Sequence, residues 1–285
     1  MNSSKVGLIR KVFFIVKFIL KNRYLPNLIN PISFNEKILY RILNSNNDLY
    51  SICSDKIEVK NYLIKNGLKD IIIPNLFISD KVTITDIKSA LDKHTEMMLK
   101  ANHNSGPVFF ITKKTSESDL VNAVENVNNQ LKVDYGNRYG ESWYSNIKPK
   151  VFIEKLIKTN DGVELRDYKF HCFKRVDGSF EIVLHIDFDR TTNHTRTYFD
   201  ESLNALPISS YAPSVISKIE QPKNYKKMLE IAKRLAAPFD YVRVDLYNVD
   251  GDIYFGELTF AQGAGLSRFE TKEQDLLLGS KWNIN

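Results

Sequence analysis

Cysteine is scarce in this chain: Cys53 and Cys172 are the only two in 285 residues, and they lie far apart. That excludes a disulfide framework and a cysteine-built zinc site, and it fits a reducing compartment. Histidine is also sparse, with five residues (His94, His103, His171, His185, His194) and no two-histidine helical metal spacing. Internal repeats, low-complexity tracts and nucleic-acid-binding motifs are missing as well, so no nucleic-acid partner is expected. Long apolar runs are lacking too. Residues 7–24 come nearest, but Arg10, Lys11, Lys17 and Lys21 interrupt them well short of a bilayer span. Charges inside that stretch, with no small-residue cleavage site after it, argue against a cleaved signal peptide.

What is present is ordinary for a globular protein: 43% hydrophobic and 26% charged residues, with 17 Phe and 14 Tyr to fill a strand-rich core. The formal net charge of +6 favours anionic partners in general. Its one local excess is near the N-terminus. At helical spacing Arg10, Lys17 and Lys21 share a face, while Ile9, Val12, Phe13, Val16, Ile19 and Leu20 spread over much of the rest. Two readings stand side by side: a basic amphipathic helix on an anionic membrane surface, or a helix packed on the protein's own core.

Local signals then set out the chain. Pro26 and Pro31 make residues 25–32 a linker, and Ser33 with Glu36 forms a capping box opening a helix to about Leu43. A second helix is expected over 55–66, capped by Ser54 or Asp55 and ended by Gly67. Residues 71–78 read as a short strand. Residues 96–101 and 107–112 read as strands joined by a small polar loop, 116–132 as a helix and 150–158 as a strand. Two strands follow in 166–190, turning at Asp177-Gly178, and the second places Val183, His185, Asp187 and Asp189 on one face. A helix over 223–236 precedes a hairpin over 240–260, turning at residues 249–251. Helices first, then mixed strands and helices, give an α+β architecture of two lobes with a seam near 155–165. The expected parts are an N-terminal helix and linker (1–30), a helical region (31–80), and two lobes (81–158 and 159–285).

Several polar residues sit where an apolar pattern would not place them. In the hairpin, Asp245 and Glu257 face each other on adjacent strands, and two such carboxylates repel unless a cation lies between them. Hard oxygen ligands suit Mg²⁺, and Arg243 beside them can neutralise developing phosphoryl charge; the same pattern also fits a solvated sheet face paired with arginine. Lys100 ends an apolar strand, an expensive place for an ammonium, and the loop Asn102–Gly106 after it can bring amides to a phosphate. Glu154 is an acid inside the apolar run Val151–Ile157; it can accept hydrogen bonds from a ribose or an adenine amino group, or pair with Lys155 or Lys169. Asp55 suits a helix start, whereas Lys56 gains nothing from that end of the helix dipole.

In order, these pieces resemble the ATP-grasp superfamily, and more closely its teichuronopeptide-biosynthesis (TupA-like) branch. The segments that carry the resemblance are Pro31–Lys37, Ser54-Asp55-Lys56, Leu99–Gly106, Asp167–Phe170, Arg243–Tyr247 and Tyr254–Phe260, and it covers roughly residues 31–280. It implies an ATP-grasp fold, two α+β lobes clamping a nucleotide behind an N-terminal helical segment, and an ATP-dependent carboxylate–amine ligase. Lys56, Lys100, Asn104, Ser105, Gly106, Glu154, Lys155 and Lys169 would bind ATP, and Asp245, Glu257 and Thr259 would bind Mg²⁺ or Mn²⁺. Arg243 and Lys100 would serve catalysis. Two departures stand out. Asn104 occupies a position where glycine is common, so a positive-φ turn is expected there; and Thr259 stands where relatives place an asparagine.

The implied substrates are an amino acid and an acidic sugar of cell-surface polysaccharide synthesis, handled in the cytoplasm or on the inner face of the membrane. His185, Asp187, Asp189, Arg190 and Arg196 are expected to line the acceptor side. Competing readings are a sugar phosphotransferase, a non-catalytic component of an assembly complex, and a glycosyltransferase using Asp187-Phe188-Asp189.

Overall fold

A computed structural model describes residues 7–45, 47–159, 165–188, 193–216 and 218–284. The chain divides into two compact units, residues 1–46 with 159–285 and residues 47–158. Each is α+β, built on one antiparallel sheet.

The first unit begins with helix α1 (Leu8–Asn22), which buries Phe14 and Phe18 and ends at Arg23 in the left-handed region (φ 67°). Helix α2 (Phe34–Asn44) has the expected capping box. The Ser33 hydroxyl accepts the Glu36 amide, and the Glu36 carboxylate takes the amides of Asn27, Ile32 and Ser33 at 2.9–3.0 Å. One side chain thereby fixes both the helix start and the linker before it.

The second unit opens with α3 (Asp48–Ser54) and α4 (Val59–Lys65) rather than one helix over 55–66. The chain turns at 55–58, and Asp55 Oδ1 accepts the Ile57 and Glu58 amides at 2.8 and 3.3 Å. The acid caps backbone as expected, but it caps the turn ahead of the helix. Strand β1 (Asn75–Ser79) starts after Pro74, later than the apolar run suggests, because proline offers no amide to a ladder. Then come α5 (Ile84–Lys93), β2 (Glu96–Ala101), β3 (Phe109–Thr112), α6 (Glu117–Gln130), α7 (Tyr135–Tyr139) and β4 (Val151–Lys155). The sheet order is β1-β4-β2-β3. Met97, Leu99 and Ala101 of β2 and Val151 and Ile153 of β4 join Ile87, Leu91, Leu120, Ala123 and Val127 of α5 and α6 in one core. Period-two alternation leaves Lys100 and Glu154 on the opposite face.

The chain then completes the first unit with β5 (Asp167–Lys174), β6 (Phe180–Phe188), β7 (Thr195–Phe199), α8 (Tyr225–Ala236), β8 (Tyr241–Val249), β9 (Asp252–Thr259) and α9 (Lys272–Ser280). The sheet order is β7-β6-β5-β8-β9. On one face α8 packs with Tyr225, Met228, Ile231 and Leu235 buried. On the other, Phe34 of α2 meets Phe173, Tyr241 and Trp282 edge-on or tilted at 5.3–6.3 Å. Arg41 of α2 donates to the carbonyls of Tyr241 and Phe260 and pairs with Asp240. This sheet is covered where the aromatics lie, and its charged residues follow further along the same face.

Candidate active site

The second unit carries the lysine cluster. Lys100 Nζ lies 2.7 Å from Glu154 Oε2, and Lys60 Nζ lies 2.8 Å from Glu154 Oε1. Lys60, on α4, also donates to the Ile73 carbonyl and the Asn75 side chain. Burial lowers the Lys60 pKa, and the Glu154 carboxylate opposes that shift. Lys56 donates to the Asn104 carbonyl, so it sits against the loop that follows β2.

That loop is stapled by Asn102. Its Nδ2 donates to Asp55 Oδ1 at 3.0 Å and to the Lys148 carbonyl at 3.1 Å, while its Oδ1 accepts the Lys150 amide at 2.7 Å. Asn104 does not have the positive φ expected of it. Its side chain shapes the loop instead: Oδ1 accepts the Gly106 amide at 3.0 Å and Nδ2 donates to Gln130 at 3.2 Å. Gly106 is a close approach, because a Cβ there would stand 2.9 Å from Gln130 Oε1. Asn102, His103 and Asn104 are buried, whereas Ser105 and Lys155 are exposed.

In the first unit, residues marked out separately in the sequence meet on one sheet face. Across the strands, Tyr198, His185, Lys169, Asp245 and Glu257 stand opposite one another in turn. Arg196, Asp187, Asp167 and Tyr247 form the next row, and His171, Arg243 and Thr259 another. The pairing of Asp245 with Glu257 depends on a bulge in which Gly256 is the extra residue, and a Cβ added there would stand 3.1 Å from the Asp245 carbonyl oxygen.

The cation between the two carboxylates is Arg243. Its Nε and Nη2 reach Asp245 at 2.7 and 2.6 Å, Nη2 reaches Glu257 at 2.8 Å, and Nη1 reaches Gln262 at 3.3 Å. Thr259 Oγ1 donates to Glu257 at 3.0 Å. Burial pushes the Asp245 carboxyl up to about 6, against the pull of Arg243 and Lys169. For Arg243 the balance runs the other way: burial would lower its pKa, but Asp245 and Glu257 raise it. Lys169 Nζ stands 2.6 Å from Asp167, 3.6 Å from Asp187 and 3.9 Å from Asp245.

Asp187 is bonded to Arg196 at 2.6 Å and His194 at 2.9 Å. Burial alone would raise its carboxyl, yet Arg196, His194 and Lys169 hold it well below the usual range. It is thus an ion-paired acid. Asp189 and Arg190 lie outside the described residues. His185 is fully buried, with Nδ1 2.7 Å from His171 Nε2, and His171 Nδ1 is 3.0 Å from the Tyr241 hydroxyl. Burial lowers the pKa of both histidines well below the ordinary value, and nearby arginines lower it further.

An open cavity of about 380 Å³ adjoins this face, lined by His194, Arg196, Tyr211, Arg243, Gln262, Gly263 and Ser267. His185 and Asp187 do not line it. Arg196 joins it to the predicted acceptor residues, whereas His194, Tyr211, Gln262 and Ser267 were not marked out in the sequence, since they stand singly in loops with no pattern around them. Ser267 Oγ is buried and lacks a hydrogen-bond partner. The loop from Gly263 to Gly265 is left-handed throughout (φ 58°, 53° and 71°), and Asn22 at the end of α1 donates to the Gly265 carbonyl at 3.1 Å. Asn35 of α2 holds the same loop through the Ser267 carbonyl at 2.8 Å.

Among the described residues no group of three or more His, Cys, Asp or Glu side chains is placed to hold a metal ion. Two facing carboxylates and a hydroxyl are nevertheless a fitting donor set for Mg²⁺, which takes one or two protein carboxylates and completes its shell with water and phosphate oxygens.

The sequence profile of TupA-like ATPgrasp proteins matches residues 36–283. The chain belongs to the TupA-like ATP-grasp family. Its fold agrees with that assignment. D-alanine–D-alanine ligase from Helicobacter pylori superposes with a TM-score of 0.51 at 14% identity, covering 82% of this chain and 62% of that one. The Bacillus anthracis D-alanine–D-alanine ligase gives 0.42 at 19% identity over 80% and 66%, and the Thermotoga maritima phosphoribosylamine–glycine ligase 0.40 at 14% over 76% and 50%. This ATP-grasp chain therefore spans less than two thirds of the length of each of these ligases. No curated protein matches it.

Proposed function

We propose that this protein is an ATP-dependent carboxylate–amine ligase that joins an amino acid to the carboxyl group of an acidic sugar. The observation that carries this reading is the double duty of Arg243, which bridges Asp245 and Glu257 and also lines the cavity with Arg196. A cavity with two guanidinium groups suits a carboxylate, and this one opens beside the acid pair that suits Mg²⁺.

In this reading Lys56, Lys100, Lys169, Glu154, Lys155 and the loop Asn104-Ser105-Gly106 belong to ATP. Asp245 and Glu257 hold Mg²⁺ or Mn²⁺, supported by Thr259. The metal neutralises phosphate charge when bound. A substrate carboxylate oxygen attacks the γ-phosphorus, ADP leaves, and an acyl phosphate results. The amine then attacks the acyl carbon and expels inorganic phosphate, leaving an amide. Arg243 is suited to hold the carboxylate and then the acyl phosphate, because its charge is fixed and preorganised by Asp245. The polar remainder of the lining (His194, Gln262, Ser267) and the exposed ring of Tyr211 suit the hydroxyls and ring face of a sugar, which supports a uronic acid over a simple amino acid in that cavity. The setting is cell-surface polysaccharide synthesis in the cytoplasm, at the inner face of the membrane.

The test is ADP release with Mg-ATP, a panel of uronic acids and a panel of amino acids, followed by product mass. Amide formation that needs both partners supports the reading. Transfer of phosphate to a sugar hydroxyl, with no amide, would replace it by a phosphotransferase.

A further inference from the structure

The α1 helix carries a surface that the site does not use. It buries Phe14 and Phe18 against its own unit and leaves Leu8, Ile9, Val12, Phe13, Val16 and Leu20 exposed, from 46% to 88%. At about 100° per residue, the exposed apolar side chains fill an arc of roughly 140°, centred opposite the buried phenylalanines. Core packing thus accounts for one side of the helix, and a second, wider apolar side is left in water. A contiguous patch of this kind marks an interaction surface.

The charges say which partner it fits. Residues 8–22 contain Arg10, Lys11, Lys17 and Lys21 and no acidic residue, and Arg23 follows. Arg10, Lys17 and Lys21 form a row along one border of the apolar arc. Their stems lie on the helix, with Lys17 Nζ 5.3 Å from the Phe13 ring and the Arg10 guanidinium 5.9 Å from the Phe14 ring. From there the heads can reach outward to phosphates while the apolar arc enters the acyl boundary. A second copy packed on the same arc would bring like charges together. An anionic headgroup layer brings opposite ones. Among the described residues no helix is long and apolar enough to cross a membrane, so the fit is to a surface.

We infer that α1 docks this protein flat on an anionic lipid bilayer, apolar arc inward and the Arg10–Lys17–Lys21 row on the headgroup phosphates. The inference rests on the membrane setting proposed above but on none of the catalytic assignments.

The test is flotation of the full chain with phosphatidylcholine vesicles, with and without phosphatidylglycerol. Binding should require phosphatidylglycerol, weaken with salt, fall roughly tenfold or more in Lys17→Glu with Lys21→Glu, and be lost in Val12→Glu with Val16→Glu. Val12, Val16 and Lys21 are exposed, and half-buried Lys17 rests on the exposed Phe13 ring rather than in the core, so the variants should keep the wild-type unfolding transition and the Mg-ATP thermal shift. Absence of flotation with either vesicle overturns the inference, whatever the ATP result. So does flotation that ignores both lysine substitutions and lipid charge. A dimer in sedimentation velocity, dissolved by Val16→Glu in protein that does not float, would assign the face to a second copy instead. A missing Mg-ATP shift in floating protein would count against the ligase reading alone.

Discussion

Arg243 grips Asp245 through two parallel hydrogen bonds, Nε to Oδ1 at 2.7 Å and Nη2 to Oδ2 at 2.6 Å, between residues two apart on one strand. The guanidinium bonds both Asp245 and Glu257 and so screens the acid pair; under the proposed function, a divalent cation would compete with it for these carboxylates. Asp245→Asn should keep the fold and remove Mg²⁺-dependent nucleotide binding. In a thermal-shift titration, the roughly 2.7 kcal/mol expected at 100 Kd should disappear. An unchanged shift in Asp245→Asn would remove Asp245 from the metal site.

The same carboxyl gives a pH dependence. With its pKa pushed up to about 6, Asp245 is protonated in acid, and a cation bound there as proposed would have to displace that proton. Mg-ATP affinity should therefore be level above pH 7 and fall up to about tenfold per pH unit below 6. Calorimetric titration at pH 5, 6 and 7.5 checks this, and an affinity flat down to pH 5 would contradict it.

The buried histidines predict a separate slope in stability. Folded His171 and His185 stay neutral, while the unfolded chain protonates both near the ordinary pKa of about 6.5. The unfolded state binds more protons below that pH, so their contribution is fully present above it and is lost as pH falls. Two such groups give a slope of up to roughly 2.7 kcal/mol per pH unit. Urea unfolding of wild type and His185→Asn between pH 5 and 7.5 should show a shallower slope in the variant. Parallel slopes would mean that the pair is already charged in the fold.

Glu154 neutralises two ammonium groups that are each less than a quarter exposed. Glu154→Gln leaves both without their anion and should destabilise the chain by about 3 kcal/mol, read as a lower urea midpoint. Lys60→Met, which keeps Glu154 and Lys100 paired, should cost less. Equal losses would show that the two lysines do not share the charge as drawn.

Asn102→Ala removes three hydrogen bonds that hold the loop after β2 and leaves Asp55 and the Lys148 carbonyl short of a donor. About 2 kcal/mol of stability should go with them. If that loop covers phosphates, KM for ATP should rise more than kcat falls.

The parts of the fold that could be read from sequence were those with strong local signals. The capping box of Ser33 and Glu36, the alternation along β6 and the Asp250-Gly251 turn each bind neighbouring residues to one geometry, and each stands where expected. Helix α5 carries the same kind of local signal in its Thr83–Asp86 capping box. Strand β7 offered little, since Thr195–Phe199 is short and polar and is set by its pairing with β6. The acid pair Asp245 and Glu257 was legible only in part: the hairpin makes their strands neighbours, but its register alone would set Asp245 opposite Gly256, and the bulge at Gly256 is what brings Glu257 across from it. Lys60 was not: on a helix it looks like any solvated lysine, and its contact with Glu154, 94 positions away, is tertiary. The positive φ expected of Asn104 failed for a related reason, because its side chain found Gln130 and the Gly106 amide.

Asn22 sits at the last turn of α1, and its amide holds the carbonyl of Gly265 in the cavity-lining loop. The same asparagine accepts from Asn35, which in turn holds Ser267. The rim of the cavity is thus moored to the first helix of the chain. It cannot swing outward without parting those hydrogen bonds or dragging α1 along, so a force applied along α1 is a force on the doorway.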